Sequence, residues 1–526
     1  MKVWFKKGIC LIMAVLMLAL ALTGCNGGGN AGDDGGFSVL IPAESPDKPD
    51  GLYQKSLERL QSLTDVPITW EYMSDVDGAS VLKMQIASGE FPEVYIGGIF
   101  QPSDISQFAA NEIIIPIEDY INEKDTPNIY KLYQERPAIK AASVAPDGHI
   151  YTLPGLKEDM ASYLENIMYI NKVWLDKLGL DIPKTLDDLK VVLKAFKEQD
   201  PNGNGQADEI PLTFNLASSS DYPEVLLSSW GLSTKYGTWD SWLTVQDGEV
   251  KFAPVLDEWK EMIAYYRDLY AEGLLDMEAF TQTGEQYNAK KGASVSKIGV
   301  HWSNANAMAN SDEYIAIEPL SADGKIKPAW RIHPGYIGTK DFMVIFKNCR
   351  NPKEALKWAD KFYEIDNSIQ NAFGEAAENS TLSKVGDNFV WNELPEGEVV
   401  SSYMYSCVLT SGMPCFLPEE VYGSEKFPFL PGQEEKKAVY EMYKPYLDDE
   451  VWPRPYYAVE EANRLSELTT DIFSLVETKR AKWITGAEDL ESGWEQYKAD
   501  IKRMGGDEML SIYQGAYDRY QAGMPK

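Results

Sequence analysis

Between Phe37 and Ile96 the apolar residues switch repeatedly between two spacings, and this alternation restricts the fold more than any other feature of the sequence. Phe37-Ser-Val-Leu-Ile41 alternates as a half-buried strand does, and a Pro-rich loop follows through Pro49. Leu52, Leu57, Leu60 and Leu63 then mark one face of a helix, and Val66 to Tyr72 returns to the strand period. Val81 to Ala87 predicts a short helix ended by Ser88-Gly89, and Val94-Tyr95-Ile96 predicts a third strand opening into Gly97-Gly98. Strand, helix, strand, helix and strand within ~60 residues point to an open, largely parallel sheet. Parallel neighbours need a long crossover, and a helix is the usual one.

Beyond Tyr151 the pattern becomes more helical. Thr185-Leu-Asp-Asp188 is a capping box, and Leu186, Leu189, Val192, Leu193 and Phe196 give the helix behind it one apolar face. Trp259 to Glu272 predicts another helix, closed by Gly273. Asp341 to Lys347 reads as a strand, Asn351-Pro352 starts a helix running to about Ile365, and Pro455 to Trp483 and Leu490 to Met504 read as long helices. With 526 residues the chain is long enough for two or more domains. Interleaved α/β and helical sections suit two lobes joined by several crossings better than two beads in series.

The N-terminus has a different character. Lys2, Lys6 and Lys7 precede an apolar run from Ile9 to Leu22, too short to span a bilayer comfortably and suited to a signal peptide. Leu22-Thr23-Gly24-Cys25 resembles a bacterial lipobox, which implies cleavage before Cys25 and lipidation of its sulfur. An uncleaved N-terminal anchor is the alternative. Asn26 to Gly36 reads as a flexible tether. Acids outnumber bases 81 to 49, and the resulting charge of −32 repels phosphate backbones, which argues against nucleic-acid partners. After Cys10 and Cys25, three cysteines remain: Cys349, Cys407 and Cys415. Three cannot all pair, so no disulfide framework is expected; free thiols are the reading, with a Cys407–Cys415 bridge as the other option.

A set of segments in a fixed order carries a family resemblance: Met84-Gln-Ile-Ala-Ser-Gly-Glu-Phe-Pro-Glu93, Ile115 to Ile121, Asp147-Gly-His-Ile-Tyr-Thr-Leu-Pro154, Tyr169 to Leu180, Leu269 to Leu274, Asn351 to Ala355 and Tyr513 to Arg519. Together they resemble the lipoprotein solute-binding proteins of Gram-positive carbohydrate ABC importers, in the subgroup that includes aldouronate- and alginate-type binders. The resemblance implies a two-lobe α/β fold of the type II periplasmic-binding-protein kind, with an oligosaccharide held in the cleft between lobes. It divides the chain into a signal peptide (1–24), a tether (25–36), a first lobe (37–160 with about 335–385) and a second lobe (161–334 with about 386–526). Its implied partners are an oligosaccharide, ABC permease subunits and, through the lipid alone, the outer face of the cell membrane, with the protein acting as a monomer.

Two sets of residues stand out as sites. Asp200, Asn202 and Asn204 place oxygens at positions 1, 3 and 5 of a calcium-type loop, with Gly205 at position 6, the carbonyl of Gln206 at 7, and Asp208 and Glu209 following. Position 12 is Pro211 in place of the usual Glu, so Glu209 is expected to supply the last carboxylate to a structural Ca²⁺. The second set is aromatic and cationic. Sugar rings stack their C–H faces on aromatic rings, and guanidinium forks suit carboxylates or neighbouring hydroxyls. Trp302, Trp452, Trp230, Trp239 and Tyr95 are the candidate rings, and Arg454 and Arg331 the candidate forks. The expected ligand is an oligosaccharide of ~2–4 units, with a uronate as one option that would need local compensation by residues such as Arg331 and Arg454 against so negative a body.

Catalytic patterns are missing from the sequence: it has no His-Glu-x-x-His, no Gly-x-Ser-x-Gly and no phosphate-binding loop. The expectation is a binding protein without catalytic residues. An exported glycoside hydrolase or lyase is the second reading, and a peptide-binding or sensory lipoprotein of the same fold the third.

Overall fold

The computed structural model describes residues 35–43, 48–74, 77–159, 164, 166–216, 222–234, 241–303, 308, 310–330, 339–398, 400–430, 433–448, 450 and 452–525. The signal peptide, Cys25, Trp239 and Arg331 lie outside these residues. Among the described residues, no helix is long and apolar enough to cross a membrane. Cys349, Cys407 and Cys415 are free thiols, the last two buried.

The strands in chain order are β1 (Phe37–Pro42), β2 (Ile68–Met73), β3 (Val94–Ile96), β4 (Thr152–Lys157), β5 (Ile167–Asn171), β6 (Ile210–Leu212) and β7 (Leu243–Gln246). They continue with β8 (Glu249–Phe252), β9 (Ile298–Ser303), β10 (Tyr314–Ala316), β11 (Thr339–Ile345), β12 (Leu382–Val385), β13 (Asn388–Trp391) and β14 (Cys415–Leu417).

The opening alternation folds as its periodicity requires. Helices Leu52–Ser62 and Gly78–Ser88 connect β1, β2 and β3, and β1 lies between the other two, parallel to both. The sheet they begin has six strands in the order β14-β4-β11-β3-β1-β2. It is mixed: β11 runs antiparallel to β3 on one side and to β4 on the other, while β14 is parallel to β4. β14 lies past residue 385, so this part of the first lobe extends beyond the boundary drawn from sequence. Three residues, Cys415-Phe416-Leu417, are too few to show a period, and the strand is visible only from its pairing with Gly155 to Lys157.

A second sheet of four strands, β10-β5-β9-β6, forms the core of the other α/β unit. Its helix Leu186–Glu198 starts in the expected capping box. The Thr185 hydroxyl accepts from the Asp188 N–H (3.1 Å), and the Asp188 carboxylate accepts from the Thr185 N–H (3.0 Å). The helix predicted at Trp259 to Glu272 spans Asp257–Ala271, with Gly273 at φ 66 just beyond it. Three helices close the chain: Val459–Ile484, Leu490–Arg503 and Gly506–Ala522. The last carries Tyr513 and Tyr517 on its buried side.

The chain passes between the two sheets several times, and three of these passages have an end beside Trp330. Residues 158–166 lead from β4 to β5, residues 331–338 lead back to β11, and the segment after Leu447 returns toward helix Val459–Ile484. Tyr456 fixes the third passage to the first sheet, its hydroxyl lying 3.0 Å from the Thr152 hydroxyl and donating to the Asp341 carboxylate. On the other side, the Asp448 N–H donates to the Trp330 carbonyl (2.8 Å) and the Trp330 N–H to the Tyr446 carbonyl (2.6 Å).

Candidate ligand cleft and cation loop

The crossings leave the carboxyl ends of the parallel strands of the first sheet, where open α/β sheets place their ligands. At this end β3 runs into Gly97-Gly98, and the Gly97 N–H donates to the Phe342 carbonyl (3.0 Å). The half-buried ring of Phe342 lies across two glycines: a Cβ at Gly98 would sit 2.8 Å from it, and one at Gly155 only 2.3 Å. Any side chain at Gly155 would therefore displace the ring. This aromatic floor escapes a sequence reading because Phe342 looks like one more apolar residue of a strand. The two glycines were the only signal.

On the second unit, a cavity of about 30 Å³ is lined in part by Asn166 and Trp330, at the ends of the first and second of these passages. Asn166, Tyr222, Glu224, Ser228, Thr234 and Trp330 line it, with apolar walls from Val225 and Leu232. The Asn166 amide donates to the Tyr222 hydroxyl (3.3 Å). Beside the cavity, the Ser233 hydroxyl donates to the Asp448 carboxylate of the third passage (2.9 Å). Glu224 is fully buried, and its Oε1 is held by the Arg480 guanidinium from helix Val459–Ile484. Its Oε2 and the Thr234 hydroxyl are buried without hydrogen-bond partners among the described residues.

Most of the rings chosen from sequence are elsewhere. Trp302 is fully buried because β9 is an interior strand of the second sheet, paired with β5 and β6 and covered on both faces. Trp452 is buried against Tyr513 and Tyr517 of the last helix, at ring separations of 5.7 and 6.3 Å. Trp230 ends a 3₁₀ helix, and its buried ring donates its indole N–H to the exposed Glu261 (2.7 Å). Tyr95 is fully buried, edge-on to Phe100 (4.9 Å) and roofed by Gly97, where a Cβ would meet its hydroxyl at 2.3 Å. These four rings have no open face for stacking. Arg454 is half-buried between Pro453 and Pro455, with a left-handed φ of 51. Arg331 directly follows the cavity residue Trp330, and Trp239 follows Thr234 by a few positions.

The loop at Asp200–Glu209 winds as its Asx and Gly residues dictate. The Asp200 carboxylate accepts from the backbone N–H groups of Gly203 (2.9 Å), Asn204 (3.1 Å) and Gly205 (3.0 Å). Gly203 and Gly205 take left-handed φ values of 75 and 72, which the tight winding requires. Asp208 accepts from the amides of Asn204 (2.9 Å) and Asn202 (3.2 Å) and pairs with Lys297 (2.7 Å). Lys297 and these amides hold its carboxyl at about 2. Burial pushes the Glu209 carboxyl up, reinforced by the charges of Asp200 and Asp208. Its Oε1 has no partner among the described residues. The residue types are the hard oxygen donors of a Ca²⁺ loop, and the buried, unpartnered Oε1 of half-buried Glu209 is the atom that a cation there would satisfy. The fit depends on the amides as well as the acids. Among the described residues, no cluster of three His, Cys, Asp or Glu side chains is arranged to hold a metal on its own.

Two α/β units crossed several times by the chain, with an aromatic ring over two glycines on one side and a small cavity with polar ends on the other, define a two-lobe solute-binding protein. The chain belongs to the bacterial extracellular solute-binding proteins, the family that residues 45–367 match. It is 32% identical to FusA, a fructooligosaccharide ABC transporter substrate-binding protein of Streptococcus pneumoniae serotype 4, over 92% of this chain and 90% of that one. The structure of FusA in complex with kestose superposes with a TM-score of 0.74 at 30% identity, covering 93% of this chain and 99% of that one. An EF-hand mutant of FusA with fructo-nystose gives 0.73 at 29% identity, with the same coverage. An HMO-binding solute-binding protein from Bifidobacterium longum infantis gives 0.78 at 26% identity, covering 92% and 99%.

Proposed function

We propose that this chain is the substrate-binding component of an ABC importer for oligosaccharides, lipid-anchored through Cys25 on the outer face of the cell membrane, and that it is not an enzyme. The observation that supports the reading is the pair of α/β units, with the Phe342 ring laid over Gly98 and Gly155 on one and a small cavity beside Trp330 on the other. A ligand touching both lobes only when they are closed shifts the equilibrium toward that state by its differential affinity. The likeness to FusA over nearly the whole chain makes fructooligosaccharides the first candidates, with kestose as the test ligand. Arg331, Arg454 and Trp239 remain candidate contacts from the crossings and their neighbourhood.

The Asp200–Glu209 loop would hold Ca²⁺ through Asp200, Asn202, Asn204, Asp208, Glu209 and the carbonyl of Gln206. The ion would supply charge neutralisation that ties helix Leu186–Glu198 to β6. The FusA EF-hand mutant supports this reading of the loop.

Isothermal calorimetry of the mature protein with kestose tests the function. Saturable binding with the sugar recovered intact is the expected result. Failure to bind kestose and its longer fructooligosaccharides would sink the reading, and enzymatic release of smaller sugars would favour a glycoside hydrolase.

A further inference from the structure

The cavity beside the crossings is too small for a sugar ring. Its 30 Å³ has room for about two water-sized groups. Its chemistry is specific at that size. Glu224 Oε2 can only accept a hydrogen bond, while the Thr234 hydroxyl can donate or accept. Both are buried, and an unmet polar atom in such a place is costly unless something enters to satisfy it. The Arg480 guanidinium on Oε1 fixes the carboxylate in place, so its acceptor cannot swing away to solvent. Val225, Leu232 and the Trp330 ring supply apolar contacts between these polar ends.

On the reading that the ligand is an oligosaccharide, we infer that this cavity receives the exocyclic hydroxymethyl arm of one hexose unit, its hydroxyl donating to Glu224 Oε2 and hydrogen-bonding to Thr234 Oγ1. A methylene and a hydroxyl match both the available room and the apolar-then-polar lining. A unit lacking the arm leaves both protein atoms unmet. A uronate, which carries a carboxylate in place of the arm, sets two acceptor-only groups against each other. The site therefore selects neutral hexose units over pentoses and uronates, and it has no need of Arg331 or Arg454 as partners for an acidic sugar.

The test uses the mature full-length protein and calorimetry with kestose, with kestose derivatives 6-deoxygenated one unit at a time, and with the matching 6-carboxylates. The wild type binds kestose, and deoxygenation of one particular unit weakens binding at least tenfold, as does its carboxylate. Thr234→Val weakens kestose at least fivefold and shrinks the discrimination against that deoxy derivative by the same factor. Ser228→Ala, on the same wall, serves if Thr234→Val does not melt cooperatively, and it shifts the same ratio. Kestose bound equally by wild type and Thr234→Val, or a wild type indifferent to every single deoxygenation, overturns the inference and leaves the oligosaccharide reading standing. A wild type that binds no fructooligosaccharide overturns the reading beneath both.

Discussion

His301 should make this protein lose stability in mild acid, by an amount that can be worked out beforehand. Its ring is fully buried in β9, stacked on Tyr169 at 5.5 Å and 16° and edge-on to Tyr314 at 5.5 Å. Burial, with a smaller push from the charge on Lys291, lowers its pKa from the ordinary 6.5 to about 3. Between those values the unfolded chain binds a proton that the folded chain refuses. The contribution of His301 to stability is therefore fully present above pH 6.5 and is lost as the pH falls toward 3. Each pH unit in that window is worth about 1.4 kcal/mol, so going from pH 6.5 to 5 removes about 2 kcal/mol. The measurement is urea unfolding at pH 7 and pH 5 for the wild type and for His301→Phe, which keeps a ring on Tyr169 and cannot titrate. The wild type should lose about 2 kcal/mol more than the variant across the interval. Parallel losses in the two proteins would refute the reasoning, because the acid sensitivity would then come from other groups.

Arg480→Met should destabilise the protein by about 3–5 kcal/mol in the same denaturation assay, since it strands the buried Glu224 carboxylate without its counter-charge; a loss below ~1 kcal/mol would mean that the pair is not the buried unit seen here. Chelation should lower the melting temperature, and Ca²⁺ at a hundredfold excess over its Kd should restore about 2.7 kcal/mol, an effect that Asp200→Ala abolishes while kestose binding persists. A purified protein free of metal and indifferent to added Ca²⁺ would end that reading of the loop.

Much of the scaffold was legible because it rests on local rules. The period changes from Phe37 to Ile96, the box at Thr185–Asp188 and the Asx-Gly winding at Asp200 each follow from residues a few positions apart. The place of β11 between β3 and β4 is a long-range pairing with no local signature, and that is why a largely parallel sheet was expected and a mixed one found. The burial of four of the aromatic candidates has a similar cause. Composition says that rings are plentiful, but whether a ring faces solvent depends on the neighbours of its strand or helix. Trp302 has a strand on either side, and Trp452 has a helix against it. Phe342 and Thr234 were overlooked for the opposite reason: each is an ordinary residue given a special place by what surrounds it.

The late arrival of β11 and β14 also governs how the protein must be made. The sheet that opens at Phe37 is not complete until Leu417 has been synthesised, and until Thr339–Ile345 inserts, β3 and β4 each present a bare edge. Bare edges are templates for pairing with other chains, and contacts this far apart in sequence form slowly. The chain therefore spends most of its synthesis unable to finish its first lobe. Whatever holds it soluble in that interval must keep those two edges apart from other copies until the missing strand comes through.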